Sequence, residues 1–333
     1  MSLKSVLIYS MEEVIGDGLI KLPFVAALRE TFPEAKISWC AAKGGTVYAT
    51  ALKPVVAGLI DETLTSGATG AKPADILLFK PPFGGRKFDV VIDTQTNVSR
   101  SLYVKRARAP GGVFVSQAAD FALSDVKPKG AWPVAMVDRL VALLSLAAGR
   151  EVRARPVSLA DPRAAEAARV LLPDGPRYVG FAPGAGGQVK RWPLERYLSL
   201  AEKAVSEGLT PVFFAGPDEG DIREAVRARL PGALLPEADR TDDYRDVKGP
   251  LLVIALAGRL IAAAANDAGP GHMLAAGGAP LVSLNRSRRI AAKFPPAARR
   301  LELVVGEDFG AESMDVIPEA AVWERLKLLI AEA

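Results

Sequence analysis

A chain of 333 residues is long enough for two domains of ordinary size, and 50% hydrophobic with 24% charged residues is a globular composition. The net charge of +4 suits anionic ligands but is far too small to indicate nucleic-acid binding. With one cysteine, Cys40, and one histidine, His272, the sequence excludes disulfides within the chain, thiolate metal sites and multi-histidine metal centres.

The N-terminal residues lead into an apolar strand rather than a signal peptide. The longest apolar run, 251–265, contains Gly258 and Arg259 and is too short to span a bilayer. We therefore expect a cytoplasmic protein. Peripheral contact with the inner face of the cytoplasmic membrane stays open.

The first half of the chain alternates apolar strands with helices. The pattern predicts strands at 6–9, 36–40, 88–93 and 113–115, and helices at 19–32 and 133–148. Residues 55–60 are interpreted as a helix end that approaches a strand. Pro23 is placed in the first turn of its helix, where proline is tolerated. Short apolar strands that alternate with helices are typical of a doubly wound parallel sheet.

The same alternation resumes in the second half, after Arg150. The pattern predicts helices at 161–172, 193–208, 219–230 and 318–333, and strands at 178–182 and 211–215. A second α/β sheet is therefore expected.

The apolar run 260–265 leads into Asn266 and Asp267, a glycine-proline loop, a short helix from His272 to Ala276 and a strand at 280–284. A strand, a glycine loop and a helix start form the unit in which α/β proteins bind anions, because free backbone N–H groups and the helix dipole attract phosphate. The alternative is a tight turn with an incidental acidic residue.

A second loop, 183–193, also has features of a phosphate site. Its glycines, Gly184, Gly186 and Gly187, allow close approach of a ligand, and Lys190 and Arg191 supply cations. Neither the dinucleotide fingerprint nor the Walker lysine pattern is present. The alternative for the cation pair is a solvated helix start.

Two further features lie in the first half. Gly16-Asp17-Gly18 follows the first strand, and Asp17 is a candidate either for chemistry or for helix capping. The cations Arg100, Lys105, Arg106 and Arg108 follow the strand 88–93. They are expected to face an anionic acceptor or membrane surface, with a solvated helix face as the alternative.

Five segments in this order resemble the ADP-heptose:lipopolysaccharide heptosyltransferase family, glycosyltransferase family 9. They are Ile15-Gly16-Asp17 with Leu22-Pro23, the strand 88–93 with Gln95, the loop from Pro183 to Pro193, Gly216-Pro217-Asp218-Glu219, and Asn266 to His272. The resemblance covers nearly the whole chain.

The resemblance implies a GT-B fold, in which two Rossmann-like doubly wound parallel-sheet domains face a central cleft. The implied domains are an acceptor-side domain, 1–155, with helix 318–333 packed back on it, and a nucleotide-sugar domain, 156–317. The implied reaction is an inverting transfer of a sugar, heptose from ADP-heptose, to a lipopolysaccharide-core or other surface-glycan acceptor.

By matching positions, the resemblance implies that Asp17 is the general base and that Lys190 meets the donor phosphates. It places Asp267, Gly269, Pro270 and His272 in the diphosphate and sugar pocket, with Gly184, Gly186 and Gly187 beside the donor and Glu219 near the ribose. Gly16 and Arg100 are assigned to the acceptor side. No Asp-X-Asp motif implies an obligatory Mg²⁺, and no other cofactor is expected.

The sequence departs from the family pattern at residues 10–13, where Glu12 and Glu13 stand, and at 285–289, an arginine-rich segment beside the donor. These departures leave the sugar, the nucleotide and the acceptor open. The alternatives from other classes are a nucleotide-sugar epimerase of the same architecture and a non-catalytic protein that binds a nucleotide-sugar or glycan. A nicotinamide dehydrogenase is disfavoured because its fingerprint is absent.

Overall fold

The computed structural model describes residues 3–65, 72–77, 80–240 and 242–332. The chain forms two compact units, Met1–Ser158 and Leu159–Ala333, whereas the sequence placed the boundary after residue 155. Among the helices of the described ranges, none combines the length and apolarity that a membrane span requires.

The first unit is built on one parallel sheet in the order β3-β2-β1-β4-β5. Its strands are β1 (Ser5–Ser10), β2 (Lys36–Ala41), β3 (Glu62–Leu64), β4 (Phe88–Asp93) and β5 (Arg108–Ser116). Its helices are α1 (Ile15–Thr31), α2 (Pro73–Leu77), α3 (Val98–Lys105) and α4 (Met136–Ala148). The strand order reverses between β1 and β4, the switch point where such sheets bind ligands.

Helix α1 begins four residues before the predicted start at residue 19, so Pro23 lies inside the helix and not in its first turn. Gly18 is not a turn residue. A Cβ at this position would lie 2.4 Å from Val47 Cγ2, so glycine allows the close packing of α1 against the segment at Val47. Helix α4 begins at Met136 rather than at residue 133.

The second unit has a parallel sheet in the order β10-β9-β8-β6-β7. Its strands are β6 (Tyr178–Ala182), β7 (Thr210–Phe213), β8 (Leu260–Asn266), β9 (Leu281–Asn285) and β10 (Leu301–Val305). Its helices are α5 (Pro162–Leu171), α6 (Leu194–Ser206), α7 (Gly220–Arg229), α8 (Pro250–Ala257), α9 (Gly269–Ala276), α10 (Arg288–Lys293) and α11 (Glu319–Ala331). Here the order reverses between β6 and β8.

Helix α11 packs in the second unit, which corrects the expectation that it returns to the first. It contacts β8, β9, β10 and α6. Val322, Leu326 and Leu329 join the core that covers one face of this sheet, since the apolar stripe of the amphipathic helix must be buried against a neighbour. The apolar run 251–265 divides at Gly258 into α8 and β8, and the sequence did not predict α8.

Candidate functional site

Asn266, the last residue of β8, holds the loop 183–193 at the switch point of the second sheet. Its Oδ1 accepts hydrogen bonds from the Trp192 backbone N–H (3.2 Å) and the Tyr197 hydroxyl (3.0 Å). Its Nδ2 donates to the Pro183 carbonyl over 2.7 Å. The amide is 1% exposed, so these bonds are made away from solvent. Asn266 therefore connects both ends of the glycine loop to the strand that carries Asp267.

The three glycines of this loop have different surroundings. A Cβ at Gly184 would lie 2.1 Å from Glu219 Oε1, so the backbone of the loop packs directly on that carboxylate. Glu219 is the N-cap residue of α7, and its Oε2 accepts from the Gly216 N–H over 2.8 Å. Gly186 and Gly187 have nothing within 4 Å of a built Cβ, which leaves open space beside them.

The two cations at the end of the loop have separate uses. Arg191 donates from Nε to the Ala185 carbonyl over 3.1 Å and so braces the loop itself. Lys190 is exposed at the end of a short 3-10 turn, and its ammonium has no hydrogen-bond partner in the described ranges. Of the predicted pair, Arg191 supports the loop through its Nε, and Lys190 has no partner among the described residues.

Lys190, Asp267 and His272 share one electrostatic environment. Burial raises the pKa of Asp267, while the positive charges of Lys190 and Arg286 oppose this rise. Burial, together with Lys190, lowers the pKa of His272 to about 4, so its imidazole is neutral near pH 7. The site therefore holds a buried carboxylate and a neutral imidazole next to an unpaired ammonium.

Helix α9 begins at Gly269, three residues before the predicted start at His272. Pro270 lies in the first turn, where its fixed φ favours the helix and its missing N–H removes no helical hydrogen bond. Gly271 allows close approach, because a Cβ there would lie 2.8 Å from the Asn266 carbonyl oxygen. Gly269, Pro270 and His272 are thus brought to the helix start immediately after Asp267.

Arg286 is a residue that the site prediction missed. The backbone N–H of Asp267 donates to the Leu284 carbonyl over 2.9 Å, which holds the two strand ends side by side, and Arg286 follows two residues after Leu284. Its guanidinium is near enough to oppose the rise in the pKa of Asp267. A cation directly after a buried strand was the available signal.

A pocket of about 730 Å³ opens at the carboxyl end of β7. Its lining is rich in charge and includes Arg223, Glu237, Arg240 and Lys248. Burial raises the pKa of Glu237 to about 7, and the nearby Glu219 charge adds to this rise. The sequence prediction did not include this pocket, because its lining comes from three separate segments.

In the first unit, Asp17 lies in the first turn of α1, next to the β1–β4 switch point, after the buried Gly16. It does not cap the helix, since the N-cap residue is Val14 and no side-chain cap bond is made. The Asp17 carboxylate is half-buried and accepts no hydrogen bond from the described residues. It is therefore available to an incoming hydroxyl group.

A buried charge cluster joins residues on either side of Asp17 in the sequence. Lys21 Nζ is 2.8 Å from Glu13 Oε1 and 3.1 Å from Ser10 Oγ. Trp39 Nε1 donates to Glu13 Oε2 over 3.2 Å. Glu13 is thus occupied internally and is a poor candidate for the base. An acid just before a helix with a lysine two turns later was the signal for this pair.

The basic segment after β4 is not a continuous cationic surface. Lys105 and Arg108 both pair with Asp125, at 3.4 and 2.6 Å. The Arg106 guanidinium lies 5.9 Å from the centre of the Tyr103 ring. Arg100 points to the end of β1, where its Nη1 lies 3.6 Å from Met11 Sδ. Two of the four cations therefore share one carboxylate, and the expectation that this segment faces an acceptor or an anionic membrane surface stays a prediction.

Among the described residues, no group of three or more histidine, cysteine, aspartate or glutamate side chains is placed to hold a metal ion. The candidate site residues fall into two sets, one in each unit. Lys190, Asp267, His272, Glu219 and the glycine loop lie in the second unit, and Gly16, Asp17 and Arg100 lie in the first.

Two parallel sheets of this kind, with polar loops at the switch points, form the GT-B fold of glycosyltransferases. A glycosyltransferase family 9 structure from Veillonella parvula has a TM-score of 0.69, 19% identity, and coverage of 100% of this chain and 99% of that one. The Escherichia coli ADP-heptose lipopolysaccharide heptosyltransferase II has a TM-score of 0.65, 18% identity and 99% coverage of both chains. At these identities the likeness supports the fold alone.

The chain belongs to glycosyltransferase family 9 (heptosyltransferase), whose family model matches residues 79–314. It is also similar to lipooligosaccharide heptosyltransferase 2 of Haemophilus influenzae, with 28% identity over 168 residues. That alignment covers 46% of this chain and 47% of the relative, so the chain spans about half the length of the curated relative that it matches.

Proposed function

We propose that the chain is an inverting glycosyltransferase that moves a heptose from ADP-heptose to a lipopolysaccharide-core or related surface-glycan acceptor. The observation that carries the proposal is the convergence of Lys190, Asp267, His272 and the start of α9 at the switch point of the second sheet. Unpaired cations and a helix N-terminus suit a diphosphate. Family membership supports the reaction class, and the E. coli relative is by its name an ADP-heptose heptosyltransferase.

The donor is proposed to lie along the carboxyl edge of the second sheet. The pocket at β7 has a volume suited to a nucleoside, and Glu219, at its side, is proposed to meet the ribose. Lys190 and the first turn of α9 are proposed to hold the diphosphate. Asp267 and the neutral His272 are then left as hydrogen-bonding partners for the sugar.

The reaction is proposed as one displacement at the anomeric carbon. The acceptor oxygen forms the new bond to this carbon as its proton passes to the Asp17 carboxylate, with Gly16 and Arg100 on the acceptor side. The bond from the carbon to the diphosphate oxygen breaks, and ADP leaves with the electron pair. Lys190 and the α9 N–H groups stabilise the charge that develops on the leaving diphosphate.

Transfer by the full chain, measured with ADP-heptose and a Kdo-bearing lipid A acceptor, tests the proposal. We expect ADP release that depends on acceptor, with a glycosidic product of inverted configuration. Epimerised sugar without transfer would support an epimerase, and binding without turnover would support a non-catalytic protein; either result overturns the proposal. A parallel reaction with EDTA shows whether a divalent cation such as Mg²⁺ takes part.

Asp17→Asn tests whether Asp17 is the general base, independently of the residues proposed to bind the donor. Asparagine keeps the size of the side chain but accepts no proton, so transfer should fall roughly 10²–10⁴-fold while ADP affinity stays unchanged. Asp138→Asn is the matched control, because Asp138 also lies in the first turn of a helix of the same unit but is exposed. Equal activity of the two variants would contradict the assignment of Asp17.

A further inference from the structure

Arg286 has an uncompensated charge within the proposed donor site. Its guanidinium has no hydrogen bond or ion pair with any residue of the described ranges, although its side chain is half-buried. Its backbone is held in place, since the Arg286 carbonyl accepts from the Glu307 N–H over 3.2 Å. Partial burial of a charge without a partner is unfavourable, so a ligand that completes the site would compensate it.

The other arginines of the same segment provide the contrast. Arg288 is exposed and pairs with Asp308 at 2.6 Å, while its backbone N–H donates to Glu307. Arg289 is exposed and, unlike Lys190 and Arg286, is not one of the charges that act on Asp267. Only Arg286 combines a fixed backbone, partial burial and proximity to the buried Asp267 carboxylate.

The local charge balance favours an anionic ligand. Lys190 and Arg286 both act on Asp267, yet burial still raises the pKa of this carboxyl group. Two cations against one buried carboxylate leave a net positive charge, to which the start of α9 adds its dipole. Next to Arg286, the Ser287 hydroxyl is fully buried and has no partner among the described residues.

The order of the strands shows which part of the donor Arg286 would meet. Along the carboxyl edge, the sheet runs from β7 through β6 and β8 to β9. The proposed nucleoside pocket lies at β7, Lys190 follows β6, and Asp267 follows β8. Arg286 follows β9, beside Asp267, and therefore lies farther from the proposed nucleoside pocket than Lys190 does, which favours the second phosphate over the first.

We propose that Arg286 binds the β-phosphate of the nucleoside diphosphate sugar and, with Lys190, sets the preference of this chain for a diphosphate donor. The inference rests on the proposed function, because it assumes a nucleoside diphosphate in this site. The planar guanidinium can donate two parallel hydrogen bonds to the non-bridging oxygens. The guanidinium then contacts the diphosphate, which leaves when its bond to the anomeric carbon of the sugar breaks.

Calorimetric titration of the full chain with ADP and with AMP tests the inference. Arg286→Gln should weaken ADP binding on the order of tenfold to a hundredfold, the usual effect of losing a hydrogen bond to a charged group. AMP lacks the β-phosphate, so its affinity should change much less. Arg289→Gln, in the same segment, is the control and should leave both affinities unchanged.

Two results would overturn the inference and leave the proposed function intact. In the first, the wild type binds ADP, and the Arg286→Gln and Arg289→Gln variants bind ADP with equal affinity. In the second, Arg286→Gln weakens the binding of ADP and of AMP by the same factor. If the wild type binds no nucleoside diphosphate, both fail together. Arg286→Lys keeps the positive charge but cannot donate two parallel hydrogen bonds, so this variant should bind ADP with intermediate affinity. It tests the contact if the glutamine variant does not fold.

Discussion

Lys21 and Glu13 form an ion pair of 2.8 Å inside the first unit, with side chains that are 11% and 0% exposed. Glu13 lies between β1 and α1, Lys21 lies within α1, and Ser10 and Trp39 complete their hydrogen bonding. The pair links the residues on either side of Asp17. Its contribution is measurable without any assumption about the reaction.

We expect Lys21→Met to destabilise the protein by about 3–5 kcal/mol, because it leaves the buried Glu13 carboxylate without its cation. Urea denaturation measures the loss. Lys36→Met removes the more exposed partner of the Lys36–Glu62 pair and should cost less than about 1 kcal/mol. Glu13→Gln combined with Lys21→Met should recover part of the stability, and equal losses in the two lysine variants would contradict the prediction.

Gly184→Ala tests the packing of the glycine loop on Glu219. The new Cβ must displace the Glu219 carboxylate and its bond to the Gly216 N–H, at a cost of about 1–3 kcal/mol, as is typical of overpacking. Most of this loss should disappear in a Glu219→Ala background, because the obstructing group is gone. The new Cβ of Gly186→Ala meets open space, so this variant should unfold at the wild-type temperature when all the variants are compared by thermal melting. Additive effects of Gly184→Ala and Glu219→Ala would refute the contact.

Asn266→Ala should free the loop 183–193 from β8. The change leaves the Trp192 N–H and the Pro183 carbonyl without their partner, and each such buried group costs about 1–3 kcal/mol. Hydrogen exchange at the Trp192 amide should become faster and ADP affinity should fall. Tyr197→Phe removes one bond to Asn266 and leaves the loop attached, so Trp192 should stay protected in that control. Unchanged protection in Asn266→Ala would argue against this role.

The buried His272 should make the stability of the protein depend on pH. Because it is the only histidine of the chain, its imidazole signals in an NMR spectrum can be followed without ambiguity. Its pKa of about 4 in the folded state lies below the ordinary value of 6.5. Between these values the unfolded chain binds a proton that the folded chain does not. Stability should therefore fall as the pH drops from 6.5 to about 4, by up to about 3 kcal/mol.

Imidazole resonances measured by NMR between pH 3.5 and 8 give the midpoint directly. Denaturation of the wild type and of His272→Gln at pH 7 and pH 4.5 isolates the histidine contribution from those of the carboxylates. The variant should lose less stability on acidification. A midpoint near 6.5 would show that His272 is solvated rather than buried.

The sequence predicted the parts of this protein that depend on local pattern. The strands at 88–93 and 178–182 have the predicted bounds, because short apolar runs between turn residues leave little alternative. The start of α1 was misplaced because Gly16 and Gly18 act like breakers in sequence, whereas in the fold Gly16 is buried in the helix and Gly18 allows close packing. Helix α3, with only eight residues, was not predicted.

For the candidate site, the sequence located the two loops but not the contacts that hold them. Asn266 and Trp192 are 74 residues apart, and only the order of β6 and β8 in the sheet brings them together. Arg286 was noted as a departure from the family pattern, but its place beside Asp267 depends on the pairing of β8 with β9. The roles of Asp17, Lys190, Asp267 and His272 stay predictions.

The path of the chain has a consequence for how this protein can change. The polypeptide passes from the first unit to the second once, after Ser158, and α11 completes a core whose members all lie within the second unit. A single genetic crossover near this point would transfer α5 to α11 as one contiguous segment with its interior intact. Had the last helix returned to the first unit, the same crossover would separate an apolar helix face from its sheet. The second unit can therefore be inherited as one contiguous piece of sequence without dividing its core.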